Sequence, residues 1–175
     1  MKRAVFLDRD GVLNQAIIRD NKPYAPITIQ ELIINPEAYS ALSKLKKLGF
    51  LLIGVTNQPD VPRGKAQRQD VELINQTLLQ ALPLDAIHVC YHDDEDDCAC
   101  RKPKPGLIHQ AAHDYSIDLS SSFMIGDRWK DIEAGKAACC QSIWLKNNYA
   151  EPQPKTMDFT AEGLMNAVEW IINKE

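Results

Sequence analysis

Apolar residues along this chain recur with two periods, and segments of the two kinds alternate. Residues 3–8 carry a short apolar run, Ala4-Val5-Phe6-Leu7, that reads as a strand buried on both faces. A loop with Pro23 and Pro26 follows. Asn35-Pro36-Glu37 then combines a capping side chain, a proline suited to a first helical turn and an early acid. Ala38, Leu42, Leu45 and Leu48 repeat at helical spacing, and Gly49 is placed to end that helix. The same reading predicts strands at 50–55, 86–91, 123–125 and 142–145, with helices at 67–82, 105–115, 131–138 and 160–172. Strands that are continuously apolar, each followed by a helix, predict an α/β fold: a doubly wound parallel sheet between two helix layers. No repeat, low-complexity tract or long linker divides the 175 residues, so 1–175 reads as a single domain.

Composition narrows the partners. A formal net charge of −4 argues against a general nucleic-acid or membrane-surface binder. No apolar run approaches membrane-spanning length. Met1-Lys2-Arg3-Ala4 leads into strand residues without the apolar region and cleavage site of a signal peptide, so the expected compartment is the cytoplasm. Five cysteines, three of them crowded at Cys90, Cys98 and Cys100, suit metal binding better than a disulfide framework.

Ligands of a doubly wound sheet bind outside the carboxyl ends of its strands, and the polar residues there carry the candidate chemistry. Asp8 and Asp10 lie one residue apart after the first strand, before Gly11. Residues two apart on extended backbone face one side, so the two carboxylates can share a site and a divalent cation. The second core strand ends in Thr56-Asn57-Gln58, uncharged groups fit to hold a phosphate oxygen and orient a carboxylate. Arg101-Lys102-Pro103-Lys104-Pro105 sets cations before a helix, and Lys102 can neutralise a phosphoryl group. Gly126-Asp127 closes another strand, with Asp131 four residues on. Each element alone is an ordinary turn or cap; together, in this order, they converge on one sheet edge.

That order, D-x-D-G, then Thr, then Lys, then G-D with a further Asp, resembles the haloacid dehalogenase (HAD) superfamily over nearly the whole chain. The resemblance implies Asp8 as a nucleophile that becomes an aspartyl phosphate. It implies Asp10 as general acid and base. Magnesium would be held by Asp8, the backbone carbonyl of Asp10 and Asp127. Thr56, Asn57 and Lys102 would serve phosphate binding, and Asp131 would support Lys102 or waters of the metal. An acid at position 10 marks the phosphatases of that superfamily.

A second signature stands between the strand at 86–91 and Lys102. Cys90, His92, Cys98 and Cys100 form C-x-H-x5-C-x-C, a set suited to a closed, tetrahedral, structural zinc site. The five acids at 93–97 within it read as a solvated turn, and Cys139 and Cys140 as small buried residues. A zinc loop immediately before R-K-P resembles the HAD branch of heptose bisphosphate phosphatases and histidinol-phosphate phosphatases. F-L-D-R-D-G-V-L-N and V-T-N-Q support the same branch. Arg63-Gly64 and Pro105-Gly106 tilt it toward the heptose enzymes, with a bisphosphate losing its C7 phosphate. Arg63, Arg101 and Arg128 are then candidates to contact the substrate. Pro59-Asp60 replace the usual Ser-Gly of that branch, removing a hydroxyl and a backbone donor. No segment is long enough for a cap domain, so loops at 17–26 and 58–66 and the zinc loop must shape an open site. The expectation is a monomer acting on a small phosphorylated metabolite. Histidinol phosphate is the alternative substrate, and a DNA 3′-phosphatase or a non-catalytic zinc-stabilised module are remoter readings.

Overall fold

The computed structural model describes residues 1–174. Six parallel strands form one sheet: β1 (Ala4–Leu7), β4 (Leu51–Asn57), β5 (Ala86–Cys90), β6 (Phe123–Gly126), β7 (Gln141–Leu145) and β8 (Phe159–Ala161). Their spatial order is β5-β4-β1-β6-β7-β8. The chain builds outward from β1 on one side and then crosses to the other, so the strand order reverses at β1. Outside the carboxyl end of that strand lies the crevice where such sheets bind ligands.

Alternation along β1 divides the core. Val5 and Leu7 face a cluster with Leu42 and Leu45 of α1 (Ala38–Lys47), Ile74 and Leu78 of α2 (Arg68–Ala81), and Val168 and Ile171 of α5 (Leu164–Ile172). Ala4 and Phe6 face the opposite cluster, with Ile108 and Ala111 of α3 (Gly106–Tyr115) and Ala134 of α4 (Trp129–Ala137). The four residues of β1 are fully buried, as a central strand covered on both faces must be. The predicted doubly wound sheet is present.

Two short elements depart from the sequence reading. The segment expected as loop contains a hairpin, β2 (Ile17–Arg19) and β3 (Lys22–Tyr24), paired antiparallel through a turn with Asp20 and Asn21 at φ 50° and 56°. Those two residues tolerate the left-handed backbone that tight hairpins need. The final helix begins at Leu164 and not at 160, because residues 159–161 pair with β7 as the edge strand β8. Gly163, extended at φ −171°, separates strand from helix. Cys140 is buried as expected, but Cys139 is exposed with φ 65°, where the chain turns out of α4.

Candidate active site

The site is built on the ends of β1, β4 and β6 and on the loop that follows β5. Asp8 follows directly on β1, and its backbone N–H donates to the Ile125 carbonyl of β6 at 3.0 Å. Gly11 then turns the chain at φ +99°, and a Cβ there would lie 1.9 Å from Asp127 Oδ2. Only glycine meets both demands, so the D-x-D-G turn and the β6 terminus can close on one another.

Lys102 sits at the centre and is almost fully buried. Its Nζ lies 2.6 Å from Asp8 Oδ1, 2.7 Å from Asp131 Oδ1 and 2.6 Å from the Val55 carbonyl oxygen. Burial works against its charge, but Asp131 and Asp8 overcome that and raise the ammonium above the ordinary lysine range. Asp131 also accepts from the Arg128 backbone N–H at 3.0 Å, which caps α4 and fixes the carboxylate. Asp131 thus contacts Lys102 directly.

Three buried carboxylates, Asp8, Asp127 and Asp131, bring oxygens within 4.8 Å of one another. Burial, then the charge of Asp131, push the Asp8 carboxyl up to about 6 even though Lys102 pulls it down. Burial and the charge of Asp8 raise Asp127 well above the carboxylate range. One ammonium does not balance this set. Among the described residues, Asp127 Oδ1 is a buried oxygen without a hydrogen-bond partner. Crowded carboxylates with an orphaned oxygen fit a hard divalent cation: Lys102 takes one oxygen of Asp8, leaving the other and Asp127 Oδ1 to offer, whereas both oxygens of Asp131 are engaged, by Lys102 and the Arg128 N–H.

Asp10 points into the same cleft, held by three donors. Arg9 Nε and Asn14 Nδ2 each reach Oδ1 at 3.0 Å, and Gln58 Nε2 reaches Oδ2 at 2.8 Å. The same Gln58 amide donates to Thr56 Oγ1 at 2.9 Å, so one side chain links two strand ends. Asn57 instead faces the Lys102 backbone, which it grips by both its amide nitrogen and its amide oxygen. It positions the lysine loop and also lines the cleft beside Thr56.

The cleft encloses about 270 Å³ and is lined by Asp8, Asp10, Thr56 and Lys102 at its floor. Its walls include Lys22 to Ala25 of the hairpin, Gln58 to Asp60 and Arg63 after β4, and Asp94 and Arg101 of the cysteine loop. These are the three segments expected to shape the site. Arg63, Arg101 and Arg128 all reach the cleft, but each is already paired. Arg63 holds Asp93 through two bonds, Nε to Oδ2 at 2.6 Å and Nη2 to Oδ1. Arg101 Nε meets Asp94 Oδ1 at 2.8 Å, and Arg128 holds Glu151 with Nε at 2.8 Å from Oε2. The acids at 93–97 are therefore not merely a solvated turn. Asp93 and Asp96 cap one another's helical turn, Arg63 pulls the Asp93 carboxyl down to about 2, and Asp97 pairs with Lys104.

Cys90 Sγ, His92 Nδ1, Cys98 Sγ and Cys100 Sγ cluster as the spacing predicts. Five of the six separations run from 3.0 Å for Cys90–Cys100 to 3.7 Å for Cys90–Cys98, and all four atoms lie within 4.8 Å of one another. A tetrahedron of zinc–sulfur bonds near 2.3 Å has edges of about 3.8 Å, close to these values. The cluster could hold zinc, and the peptide after Cys100 and Arg101 is Lys102 itself.

Sequence reasoning missed several contributors. Tyr149 Oη donates to Asp127 Oδ2 at 2.8 Å, while Trp144 Nε1 at 3.0 Å and Asn147 Nδ2 at 2.5 Å donate to the Asp127 carbonyl. Sequence reasoning also passes over Glu151, Asn14, Arg9 and Lys130, the last of which lines the cleft. Asn14 and Arg9 carry a usable signal, since Arg9 lies within D-x-D-G and Asn14 three residues after its glycine. Tyr149 and Glu151 lie after β7, in a segment with no motif of its own.

Comparison with known proteins agrees with this geometry. The HAD-hydrolase-like family profile matches residues 99–167. A D-glycero-beta-D-manno-heptose-1,7-bisphosphate 7-phosphatase of Helicobacter pylori is 40% identical over 139 residues, 76% of this chain and 77% of the relative. The enzyme of that name from Pasteurella multocida is 38% identical over 151 residues, 79% of this chain and 78% of the relative. The solved D,D-heptose 1,7-bisphosphate phosphatase of B. bronchiseptica, complexed with magnesium and phosphate, superposes with a TM-score of 0.80 at 27% identity, covering 100% of both chains. The chain belongs to the HAD-like phosphoric monoester hydrolases, in the family of these heptose-bisphosphate phosphatases.

Proposed function

We propose that this protein is a magnesium-dependent phosphatase that converts D-glycero-D-manno-heptose 1,7-bisphosphate to the 1-phosphate through an aspartyl phosphate. The observation that carries the reading is the buried Asp8–Lys102–Asp131 group beside Asp127, in a chain with relatives of that activity. Magnesium held by Asp8, Asp127 and the Asp10 carbonyl would supply charge neutralisation at the phosphoryl oxygens.

This chain's residues then act in two steps. A carboxylate oxygen of Asp8 attacks phosphorus, the C7–oxygen of the sugar leaves, and Asp10 gives that oxygen a proton. Asp10, now ionised, takes a proton from water as that water attacks the phosphorus of the acyl phosphate, freeing inorganic phosphate and restoring Asp8. Lys102 and the Thr56 hydroxyl steady the equatorial phosphoryl oxygens, where negative charge spreads in the transition state. Gln58, Asn14 and Arg9 hold Asp10 along the approach of the leaving oxygen. Arg63, Arg101 and Arg128 contact the remainder of the bisphosphate. We further place zinc on Cys90, His92, Cys98 and Cys100 as a structural ion. The protein is read as one capless domain and a monomer, serving a small phosphorylated metabolite in the cytoplasm, with no nucleic-acid or membrane partner.

The test is kcat/KM for the heptose bisphosphate beside histidinol phosphate under one set of conditions. The expected result is preference for the heptose ester, with one phosphate released per molecule and the 1-phosphate left intact. Equal, low turnover of both overturns the assignment. Beryllofluoride trapping is expected to mark Asp8, and an adduct at any other residue would remove it as nucleophile.

A further inference from the structure

The segment after β7 carries no recognised motif, yet it grips Asp127 from two directions. Trp144 and Asn147 donate to its main-chain carbonyl, and Tyr149 donates to its carboxylate. Tyr149 is itself set in place, because its backbone N–H donates to Asn147 Oδ1 at 3.1 Å. One residue on, the Ala150 N–H donates to the Asn21 carbonyl at 2.7 Å, which ties the segment to the β2–β3 hairpin at the cleft mouth.

The two oxygens of Asp127 are thereby made unequal. Oδ2 accepts the Tyr149 hydroxyl at 2.8 Å, and Oδ1 is buried with no partner among the described residues. A carboxylate free to rotate would exchange these positions. A hydroxyl donor pinned by its own backbone stops that exchange and leaves one defined oxygen on offer. We propose that Tyr149 is a positioning residue for cation binding: its hydroxyl fixes the Asp127 carboxylate so that Oδ1 is presented to the metal. This rests on the magnesium reading above. Partners that orient a metal-ligating carboxylate are worth roughly 10- to 100-fold in metal affinity.

Tyr149→Phe removes the one oxygen and keeps the ring that packs there. Metal-free wild-type and variant proteins are titrated with Mg²⁺ by calorimetry and with Mn²⁺ by electron paramagnetic resonance, and kcat is followed against Mg²⁺ concentration. The expected result is an affinity weakened by about 10-fold or more for both cations. Maximal kcat returns to near the wild-type level at saturating Mg²⁺, and circular dichroism is unchanged. A merely structural role would lower kcat or stability without moving cation affinity. Equal affinity in the two proteins overturns the role of Tyr149 alone; a wild-type protein that takes up neither cation overturns the magnesium reading and this proposal with it.

Discussion

Asn57 and Lys102 are joined by two reciprocal hydrogen bonds: the Asn57 amide nitrogen donates to the Lys102 carbonyl, and the Lys102 backbone N–H donates to Asn57 Oδ1, both at 3.0 Å. The pair stitches the end of β4 to the lysine loop and so sets where the ammonium enters the site. Asn57→Ala removes both bonds while sparing every group that faces the cleft floor. Displacement of the lysine by a fraction of its length is expected to lower kcat roughly 10- to 100-fold. Two unpaired backbone groups are expected to lower stability by about 1–3 kcal/mol. Steady-state kinetics and thermal unfolding check both; unchanged kcat would detach Asn57 from catalysis.

Lys102→Met leaves Asp8 and Asp131 facing one another without their shared counter-charge. Breaking a buried ion pair from one side costs about 3–5 kcal/mol, and the loss here is expected in the metal-free protein. Activity is expected to fall by at least about 10³-fold, the scale of losing a preorganised charge at a developing oxyanion. A variant that kept a tenth of wild-type turnover would remove Lys102 from transition-state stabilisation.

Gln58→Leu cuts the bond to Asp10 Oδ2 and the bond to Thr56 Oγ1 together. Arg9 and Asn14 still hold Oδ1, so Asp10 stays in the site but swings more freely. The expected loss is in kcat, roughly 10- to 100-fold, with substrate KM little changed. A rise in KM at constant kcat would instead make Gln58 a substrate contact.

Raised carboxyls give the metal-free protein a pH signature. Asp8 stands at about 6 and Asp127 is also raised, so both favour a protonated native state over the unfolded chain. The Asp8 contribution to stability is complete below the unfolded value of about 4 and is lost as pH climbs through about 6; that of Asp127, raised by burial, is likewise lost with rising pH. A divalent cation requires the ionised carboxylates, so its contribution runs the other way. The increase in Tm on adding Mg²⁺ is expected to be larger at about pH 7.5 than at about pH 5, measured by differential scanning fluorimetry. An equal increase at both would separate the cation from Asp8 and Asp127.

Cys98→Ala takes one ligand from the proposed zinc set. Zinc in small finger peptides is worth roughly 10–16 kcal/mol, enough to hold this loop in one shape. Loss of zinc by atomic absorption is expected, together with a raised KM, because Asp93 and Asp94 of the loop anchor Arg63 and Arg101. Wild-type zinc content in the variant would mean that the four-ligand set is wrong.

The sheet and its site were legible where the signal is covalent spacing or a buried run. Val5 to Leu7, Leu52 to Val55 and Phe123 to Ile125 are apolar because helices cover both faces, and each delivers its polar residue at a carboxyl end. The zinc ligands were legible because metal coordination demands close spacing within one loop. β8 was not, since three residues of an edge strand cannot establish a period and the helical pattern of α5 runs up to them; Gly163 was the available warning. The β2–β3 hairpin hid behind Pro23, although Asp20-Asn21 between short apolar runs was a turn signal. Tyr149 and Glu151 were invisible because their partners, Asp127 and Arg128, lie 22 and 23 positions away. Nothing local requires such contacts; only the packed sheet creates them.

An anion entering the cleft meets guanidinium groups that are already neutralised: Arg63 by Asp93, Arg101 by Asp94 and Arg128 by Glu151. An incoming anion competes with that carboxylate for the guanidinium charge, so the net gain is smaller than a bare arginine would give. Chloride does not match a seated carboxylate in that competition. A dianion with several oxygens, matched to the planar fork of arginine, does. Recognition becomes a contest among anions, and the carboxylates already seated on the arginines set its threshold.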